Sequence, residues 1–413
     1  MEAAVWNELA PLTPGIAERW SDLSESAPSL GELDRIRAAR GPAVARFVSL
    51  QAELARRHHG RLDGALLPFL TSKGAEQATA SVVARQRAER FASAGPDLLP
   101  WDACCGVGSD LLALAERFDR VLATDLDADT LRCAAANLAH AAPRPGSPPG
   151  GRSWLAAVGD AGRAPFQEHL APRILGLFDP DRRPSGARER RAERWSPSLN
   201  EVFHAANQLG GACVKLPPSL DESVLSGPTV GQPVALTWTS LDGEMRELSA
   251  WTGLLGADAP AREAVSLRSN GQSCSFSGAP EAGPAPTREP TQGLWLVELD
   301  PALWRAELAG TFAHQFGATP LEAPGPGGFL VCDRSIEHPM ARTWRIAEVV
   351  TGDRRRVRAM LRSNQVGPIT VKTRHHPETA EALAKRFQGE GTQTGLLAVT
   401  RVAGRALAML LAE

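Results

Sequence analysis

A regular alternation of short apolar runs with helical patterns, beginning near Pro96, constrains the fold of this chain more than any other feature. The segments that carry it are, in order, LLPWDACC, DLLALAERF, RVLATDLD and ADTLRCAAANLAHA. They are typical of strand, helix, strand and helix, and this order predicts a parallel, doubly wound sheet. Three further strands are expected in SWLAAVGD, RILGLFDP and GACVKLPP. The expected fold class is therefore α/β.

An acidic residue closes each of four successive predicted strands: Asp102, Asp125, Asp160 and Asp179. The carboxyl ends of parallel strands meet at one edge of a sheet, and open α/β folds bind their ligands there. We therefore expect the four carboxylates to surround one crevice. Acids in that position suit a cationic ligand rich in hydrogen-bond donors better than they suit a phosphate.

A glycine loop follows the first of these strands, in the stretch WDACCGVGSD. Gly106 and Gly108 let the backbone come close to a ligand at the start of a helix. A dinucleotide fingerprint would have glycine or alanine where this chain has Leu111, so a pyrophosphate cofactor is disfavoured. Asp125 follows the loop by about twenty residues, the spacing from which a carboxylate accepts hydrogen bonds from ribose hydroxyls.

The six cysteines are scattered, apart from the adjacent pair Cys104 and Cys105, and no C-x-x-C spacing occurs. A structural zinc site and a thioredoxin-like redox pair are therefore not supported. We expect the adjacent pair to be small apolar residues packed beneath the loop, and a redox or catalytic role is the weaker alternative. Scattered free thiols fit a reducing cytoplasm.

Taken in order, D-x-C-C-G-x-G-x-D, T-D-L-D, G-D-A and D-P-D-R-R resemble the motifs of class I S-adenosylmethionine-dependent methyltransferases. More closely, the chain resembles bacterial methyltransferases that carry a C-terminal THUMP-like domain, whose catalytic part is similar to trimethylguanosine synthase. The resemblance extends through EQATASVVARQRAERF, WSPSLNEVF, CVKLPPSLD, VGPITVKTR and LLAVTRVAGR. It implies S-adenosyl-L-methionine as the cofactor, a Rossmann-like methyltransferase sheet after an N-terminal helical region, and a small α+β C-terminal domain.

The resemblance also implies a cofactor-binding set. Asp102 would hold the methionine ammonium, directly or through water, and the two glycines would let the loop pass beside the amino-acid moiety. Asp125 would bind the ribose hydroxyls, and Asp160 with the backbone of Ala161 would recognise the adenine. The full set is Asp102, Gly106, Gly108, Asp125, Leu126, Asp160 and Ala161. For any one acid taken alone, a helix N-cap or a solvated strand end is the alternative.

The segment DPDRR supplies the residues expected to act in the reaction. A strand-end Asp-Pro accepts hydrogen bonds from an amino group and leaves its lone pair aimed at the methyl carbon, so Asp179 and Pro180 are the predicted catalytic residues. Amino-methylating enzymes usually have D/N-P-P and an aromatic residue at this place. Here Asp181 replaces the second proline and Arg182 replaces the aromatic residue, which leaves the competence of the segment open.

Three residues are predicted to contact the substrate: Arg182, Arg183 and Trp195. Either guanidinium could stack on a base, and the tryptophan could supply the missing aromatic ring. A packing role for Trp195 is equally compatible with the sequence. The basic tract RRPSGARERRAER between them is either a solvated loop or a substrate loop that becomes ordered on nucleic acid.

Composition and patterning divide the chain into four parts. Residues 1–95 have helical patterns, and residues 96–276 are the predicted methyltransferase domain. Residues 277–293 are rich in proline, glycine and alanine, which predicts a linker. Residues 294–413 are expected to form an α+β region that includes the THUMP-like domain.

Positive charge is concentrated at the C-terminal end. Residues 351–413 contain 11 lysines and arginines against 5 acids, an excess of +6, whereas the whole chain has a formal net charge of -2. Such a distribution suits contacts with nucleic-acid phosphates. A solvated helix face is the alternative, because arginine is strongly favoured over lysine throughout the chain.

These observations predict a methyltransferase that acts on an amino or ring nitrogen of an RNA base. The alternatives are a non-catalytic RNA-binding protein with an idle cofactor fold, and a small-molecule or protein methyltransferase. No metal partner is expected, since the pair His375 and His376 has no further ligands nearby in the sequence. No uncharged apolar run of 18 residues and no signal-length apolar core occur, so we expect no membrane partner and a cytoplasmic location. The oligomeric state is left open.

Overall fold

The computed structural model describes residues 28–58, 61–62, 69–141, 153–182, 189, 191–225, 234–281, 287–321 and 327–412. The chain divides into two compact units. The first comprises residues 1–236, 247–260 and 268–272, and the second comprises residues 237–246, 261–267 and 273–413. Arg183 and most of the basic tract after it lie outside the described residues.

Helices occupy most of the described chain before the first strand: α1 (Leu30–Arg40), α2 (Pro42–Arg57), α3 (Ser72–Gln77) and α4 (Ser81–Ser93). Ser29 begins α1 with a capping box, in which Ser29 and Glu32 each accept a hydrogen bond from the backbone N–H of the other. Pro42 begins α2, where the missing N–H removes no helical hydrogen bond. Phe47 and Val48 lie on the buried face of α2, so packing rather than propensity holds this helix.

The strands that follow are β1 (Leu99–Asp102), β2 (Arg120–Asp125), β3 (Ser153–Val158), β4 (Ile174–Phe178), β5 (Gly211–Leu216), β6 (Ala235–Leu241) and β7 (Glu244–Gly253). In the first unit the strand order is β3-β2-β1-β4-β5-β7. The first five of these strands are parallel, and β7 is antiparallel to β5. The predicted α/β class is confirmed.

Crossover helices connect the parallel strands: α5 (Ser109–Ala115), α6 (Ala128–His140) and α7 (Leu199–Ala206). Short 3-10 turns span Ala171–Arg173, Ala192–Arg194 and Glu222–Leu225. Trp101 on β1 is buried, and its ring meets Phe178 edge-on at 5.5 Å between centroids. Its indole N–H donates to the Thr124 hydroxyl at 3.0 Å. Trp101 therefore ties β1 to both neighbouring strands, which fixes where their carboxyl ends meet.

The second unit contains the remaining elements. The strands are β8 (Arg262–Leu267), β9 (Ser273–Ser277), β10 (Trp295–Leu299), β11 (Thr319–Pro320), β12 (Leu330–Cys332), β13 (Ala341–Thr351), β14 (Val366–Arg374), β15 (Gln393–Val402) and β16 (Arg405–Ala412). The helices are α8 (Pro301–Arg305), α9 (Ala309–Phe316), α10 (Arg354–Ser363) and α11 (Ala380–Phe387). A seven-stranded sheet has the order β11-β12-β10-β13-β16-β15-β14.

The C-terminal hairpin of this sheet answers a question that the sequence left open. LLAVTRVAGRALAMLL fits either two strands or a strand followed by a helix. In the structure it forms the antiparallel pair β15 and β16, with Val402 opposite Arg405. Ala403 and Gly404 form the turn with φ of 46° and 75°, as a two-residue hairpin with a matching twist requires.

Within the described part of the chain, no helix is long and apolar enough to cross a membrane.

Candidate functional site

A crevice of about 430 Å³ lies at the carboxyl ends of the parallel strands in the first unit. Its wall includes the glycine loop, the residues that follow β2 and β4, and part of the N-terminal helical region. The residues that line it include Lys73, Gln77, Thr79, Cys104, Cys105, Gly106, Asp110, Asp125, Leu126, Ala161, Asp179, Pro180, Asp181, Arg182 and Ser196. A volume of this size is typical of a site for a small molecule or cofactor.

Backbone conformation shapes the glycine loop. Gly108 has φ of 93°, and a Cβ there would lie 3.2 Å from the Ala134 Cα, so a larger residue would be both strained and crowded. Gly106 has φ of 55° with open space around it. Cys105 is buried in the core, as the sequence predicted, and Cys104 is half-buried; both reach the crevice lining.

Asp125 holds the loop in place from the end of β2. Its Oδ2 accepts a hydrogen bond of 2.9 Å from the Gly106 N–H, and its Oδ1 accepts one of 2.9 Å from the Asp127 N–H. Burial raises the pKa of Asp125, while these two backbone donors act to lower it. The carboxylate is therefore fixed beside the loop while each oxygen keeps room for a further donor. Leu126 follows it into the crevice with 57% of its surface exposed.

Asp102 is placed differently from Asp125. It is 2% exposed and does not line the crevice, and its Oδ2 has no hydrogen-bond partner among the described residues. Burial is the largest cause that raises its pKa well above the ordinary value, and the nearby Asp110 raises it further. A buried carboxylate oxygen without a donor is costly, so this atom suits an amine or water that is not part of the protein.

Asp160 and Trp195 also lie outside the crevice lining. Asp160 accepts a hydrogen bond of 2.9 Å from the Gly162 N–H, while its neighbour Ala161 reaches the lining. Trp195 is buried, and its indole N–H donates to the Glu189 carbonyl at 3.1 Å. The structure therefore gives Trp195 a packing environment, the second of the two roles compatible with the sequence.

Asp179 follows β4 directly and faces a lysine that the sequence analysis did not identify. The Lys215 ammonium on β5 donates to Asp179 Oδ2 at 2.5 Å, to the Thr79 hydroxyl at 2.6 Å and to Asp110 Oδ2 at 3.1 Å. Burial acts to lower the pKa of Lys215, but the Asp110 and Asp179 carboxylates outweigh it and raise the pKa above the ordinary value. Lys215 is therefore a cation in this site.

A second buried cation completes the network. The Arg87 guanidinium on α4 forms ion pairs with Asp110 and Glu247. Burial acts to raise the pKa of Asp110, but Arg87 and Lys215 together lower it to about 2. Burial acts to lower the pKa of Arg87. The carboxylates of Asp110 and Glu247 outweigh this effect, so the pKa of Arg87 is raised. Paired charges of this kind are tolerated in an interior because each cation has anionic partners.

Asp181 replaces the second proline of the D/N-P-P motif, and it lies at the rim of the crevice. Its carboxylate accepts a hydrogen bond of 2.9 Å from the Lys73 ammonium on α3, and Gln77 lies at 3.5 Å. Its backbone exchanges hydrogen bonds of 2.8 and 3.0 Å with Ser196. The replacement of proline therefore supplies a carboxylate that connects the segment after β4 to α3 and an N–H that connects it to Ser196.

The structure thus brings seven predicted site residues into one crevice: Gly106, Asp125, Leu126, Ala161, Asp179, Pro180 and Arg182. Asp102, Gly108, Asp160 and Trp195 do not line it, and Arg183 lies outside the described residues. Sequence reasoning missed Lys73, Thr79, Arg87 and Lys215. A signal existed for Lys215, because it is a lysine inside the otherwise apolar strand GACVKL in a chain with very few lysines.

Comparison with known proteins agrees with this geometry. An uncharacterized S-adenosylmethionine-dependent methyltransferase of Mycobacterium tuberculosis, found in two strains, is 26% identical over 362 residues, which cover 86% of this chain and 92% of the relative. A crystal structure of a candidate methyltransferase from Porphyromonas gingivalis superposes with a TM-score of 0.74 at 17% identity, covering 97% of this chain and 98% of that one. The fold is that of a class I methyltransferase.

The C-terminal part of this methyltransferase-fold chain has a separate match. Residues 341–413 match the family model described as THUMP domain-like. This range begins with β13 and includes both α10 and α11 and the C-terminal hairpin. The chain therefore combines a methyltransferase fold with a THUMP-like domain.

Proposed function

We propose that this chain transfers a methyl group from S-adenosyl-L-methionine to a nitrogen of an RNA base. It is an S-adenosylmethionine-dependent methyltransferase, and the proposal concerns its substrate and its site residues. The observation that carries it is that Asp179 and Asp125 open into the same crevice, on either side of the glycine loop. One carboxylate that can accept from sugar hydroxyls and another that can accept from the nucleophile thereby face the same crevice.

The residues present fit the cofactor. Asp125 offers both of its oxygens to ribose hydroxyls beside Gly106, and the exposed Leu126 offers an apolar surface to the adenine. Asp102 Oδ2, which has no hydrogen-bond partner in the described part of the chain, suits the methionine ammonium, through water because Asp102 does not reach the crevice wall. Ala161 lines the crevice, so its backbone is available to the base, and Asp160 supports that turn through Gly162.

The cofactor supplies a methyl group already activated on a sulfonium, so the chain needs mainly to position the nucleophile. Asp179 accepts a hydrogen bond from the substrate N–H, which aims the nitrogen lone pair at the methyl carbon. Bound in this crevice, the cofactor would supply the methyl carbon as the electrophile and its sulfur as the leaving group, while Asp179 would hold the nitrogen that forms the new N–C bond. The surplus proton then leaves the nitrogen to water or to the Asp179 carboxylate. Pro180 restricts the backbone of this segment.

Arg182 lines the crevice immediately after Asp181 and is available to stack on a base from the position of the usual aromatic residue. Arg183 is proposed to act with it on the substrate. Trp195 is buried, so we propose that it supports the segment after β4 through its bond to Glu189.

The RNA substrate is supported by the THUMP-like match and by the charges within it. Arg354, Arg355, Arg362, Lys385 and Arg401 are exposed and form no ion pair within the described part of the chain. Arg355 and Arg362 are seven residues apart on α10 and so share one face of that helix. Unpaired guanidinium groups are available for phosphates, whereas Lys372 and Arg374 already hold Glu298 at 2.7 Å.

We also propose a cellular location, a family likeness and domain boundaries. A cytoplasmic location is supported by six cysteines that form no disulfide. A likeness of the catalytic part to trimethylguanosine synthase is supported by the motif around the glycine loop. The proposed domain boundaries are 1–95 for the N-terminal helical region, 96–276 for the methyltransferase domain, 277–293 for the linker and 294–413 for the C-terminal region.

The test is transfer of radiolabelled methyl from S-adenosylmethionine to total cellular RNA by the full-length chain. We expect label that ribonuclease releases. Asp179→Ala should lose transfer by a factor of about 100 or more while cofactor binding measured by calorimetry is retained. Asp97→Ala, an exposed acid in a turn, is the matched control. Label confined to protein or to small molecules would contradict an RNA substrate.

A further inference from the structure

Lys215 uses its hydrogen-bonding capacity fully on residues of the site. An ammonium has three donors, and its three acceptors are Asp179, Thr79 and Asp110, all within 3.1 Å. It is 8% exposed, so these bonds are protected from competing water. The lysine therefore has little freedom to take another orientation while the network is intact.

The bond to Asp179 is asymmetric. Lys215 occupies Oδ2, and Oδ1 accepts no hydrogen bond within the described part of the chain. The side chain of Asp179 is 32% exposed and lines the crevice. One oxygen is thus held by the protein, and the other remains an acceptor for a group that enters the crevice.

Lys215 itself is anchored from the opposite side. Thr79 accepts from the ammonium and donates to Asp110 Oδ2 at 2.7 Å. Arg87 holds the other oxygen of Asp110. Two neighbours that make no hydrogen bond to Asp179, namely Thr79 and Asp110, therefore place the ammonium. Removing Lys215 is expected to free Asp179 Oδ2, whereas Asp110 keeps its hydrogen bonds from Thr79 and Arg87.

We propose that Lys215 is a positioning residue that fixes Asp179 Oδ2, so that Oδ1 is presented as the acceptor for the N–H of the methylated nitrogen. This inference rests on the proposed role of Asp179 in methyl transfer. Lys215 is not a proton acceptor in the reaction, because two neighbouring carboxylates keep it charged. Its effect on the rate is transmitted through the orientation of one carboxylate.

A double-mutant cycle on kcat tests this coupling. Lys215→Met should lower kcat about 100-fold, as expected when a reacting group is misplaced by about 1 Å, while the KM for S-adenosylmethionine changes by no more than a few-fold. In an Asp179→Asn background the same substitution should cause little further loss. Equal losses in the two backgrounds would mean that Lys215 acts on folding alone and would overturn the proposal.

Arg262→Met is the matched control. Arg262 is also a largely buried cation, but it pairs with Glu307 at 3.2 Å and does not line the crevice. We expect it to lower the melting temperature while the folded fraction keeps kcat within a few-fold of the parent. If Lys215→Met does not fold, Lys215→Arg takes its place in the cycle, because it retains the charge and displaces the donor atom.

A crystal structure of the Lys215 variant separates this proposal from the RNA substrate. Displacement of the Asp179 carboxylate by more than about 0.5 Å is the expected result and does not depend on any substrate. An unmoved carboxylate would overturn the positioning role even if the parent methylates RNA. A parent that labels no RNA, together with a displaced Asp179 in the variant, would refute the RNA substrate and leave the positioning role supported.

Discussion

The backbone N–H of Gly106 donates a hydrogen bond of 2.9 Å to Asp125, so the glycine loop after β1 is tied to the end of β2. The same carboxylate holds the N–H of Asp127 at the start of α6. One side chain therefore fixes both backbone segments against which a cofactor would lie.

Replacement of Asp125 by alanine should weaken binding of S-adenosylmethionine by about 10- to 100-fold, the value of one charged hydrogen-bonding partner. Isothermal titration calorimetry measures this directly. Asp125→Asn should lose less, because the amide oxygen still accepts from one backbone N–H. Asp97→Ala should bind like the parent, and an unchanged Kd for Asp125→Ala would argue against the crevice as the cofactor site.

Charge reversal at Arg354 and Arg355 should reduce the salt dependence of RNA binding. Each lost phosphate contact removes about 0.7 from the slope of log K against log salt for single-stranded RNA, so two contacts remove about 1.4. Fluorescence anisotropy across a salt series gives the slope. Glutamate at Arg40 and Arg56, two exposed arginines of the N-terminal helices, is the matched charge change. If charge reversal at Arg354 and Arg355 leaves the slope unaltered, α10 does not contact RNA phosphates.

Asp110 should make the protein sensitive to acid. Its pKa in the folded state is about 2, below the ordinary 3.8, so its carboxylate stabilises the fold above pH 4 and this stability is lost as the pH falls toward 2. The difference corresponds to about 2 kcal/mol. Urea unfolding at several pH values should show this fall in the parent and not in Asp110→Asn. If the free energy of unfolding depends on pH in the same way in both proteins, the pKa of Asp110 is not lowered in the folded state.

Asp102 should have the opposite effect on the pH dependence of stability. Its pKa is raised, foremost by burial, so the folded state is favoured at low pH and stability is lost as the pH rises through the raised value. Asp102→Asn removes the ionisable group and should increase the free energy of unfolding at pH 7, with little change near pH 3. The same variant should bind S-adenosylmethionine more weakly if the carboxylate serves the methionine ammonium. A variant less stable than the parent at pH 7 would contradict a carboxylate that burial destabilises in its ionised form.

Local patterns identified the strands and the acids that end them. The alternation of strands and helices from β1 to β5 could be predicted because apolar runs alternate with segments of helical periodicity. The position of Asp125 could be predicted from its spacing to the glycine loop. The hydrogen-bond partner of Asp179 could not be predicted in this way. Lys215 lies 36 positions further along the chain, and an apolar strand gives no sign of which neighbouring strand end its one cation will face.

The buried Arg87 illustrates the same limit. In the sequence it is one of several arginines in a helical pattern, yet its ion pairs are with residues 23 and 160 positions away. An arginine becomes stable in an interior only when carboxylates arrive there with it, and their arrival depends on the packing of α4 against the sheet. The burial of Trp195 could not be predicted for the same reason, since burial is a property of the assembled unit.

The sequence by itself determined the order of strands and helices, the glycine loop and the acids at the strand ends, because these depend on residues close together in the chain. Only the tertiary structure decided that Asp179 is held by Lys215, that Asp102 is buried with one oxygen lacking a hydrogen-bond partner among the described residues, and that the Asp181 carboxylate bonds Lys73 of α3. These outcomes depend on distances between charges brought together from distant segments, and on the loss of water around them when the sheet and helices pack.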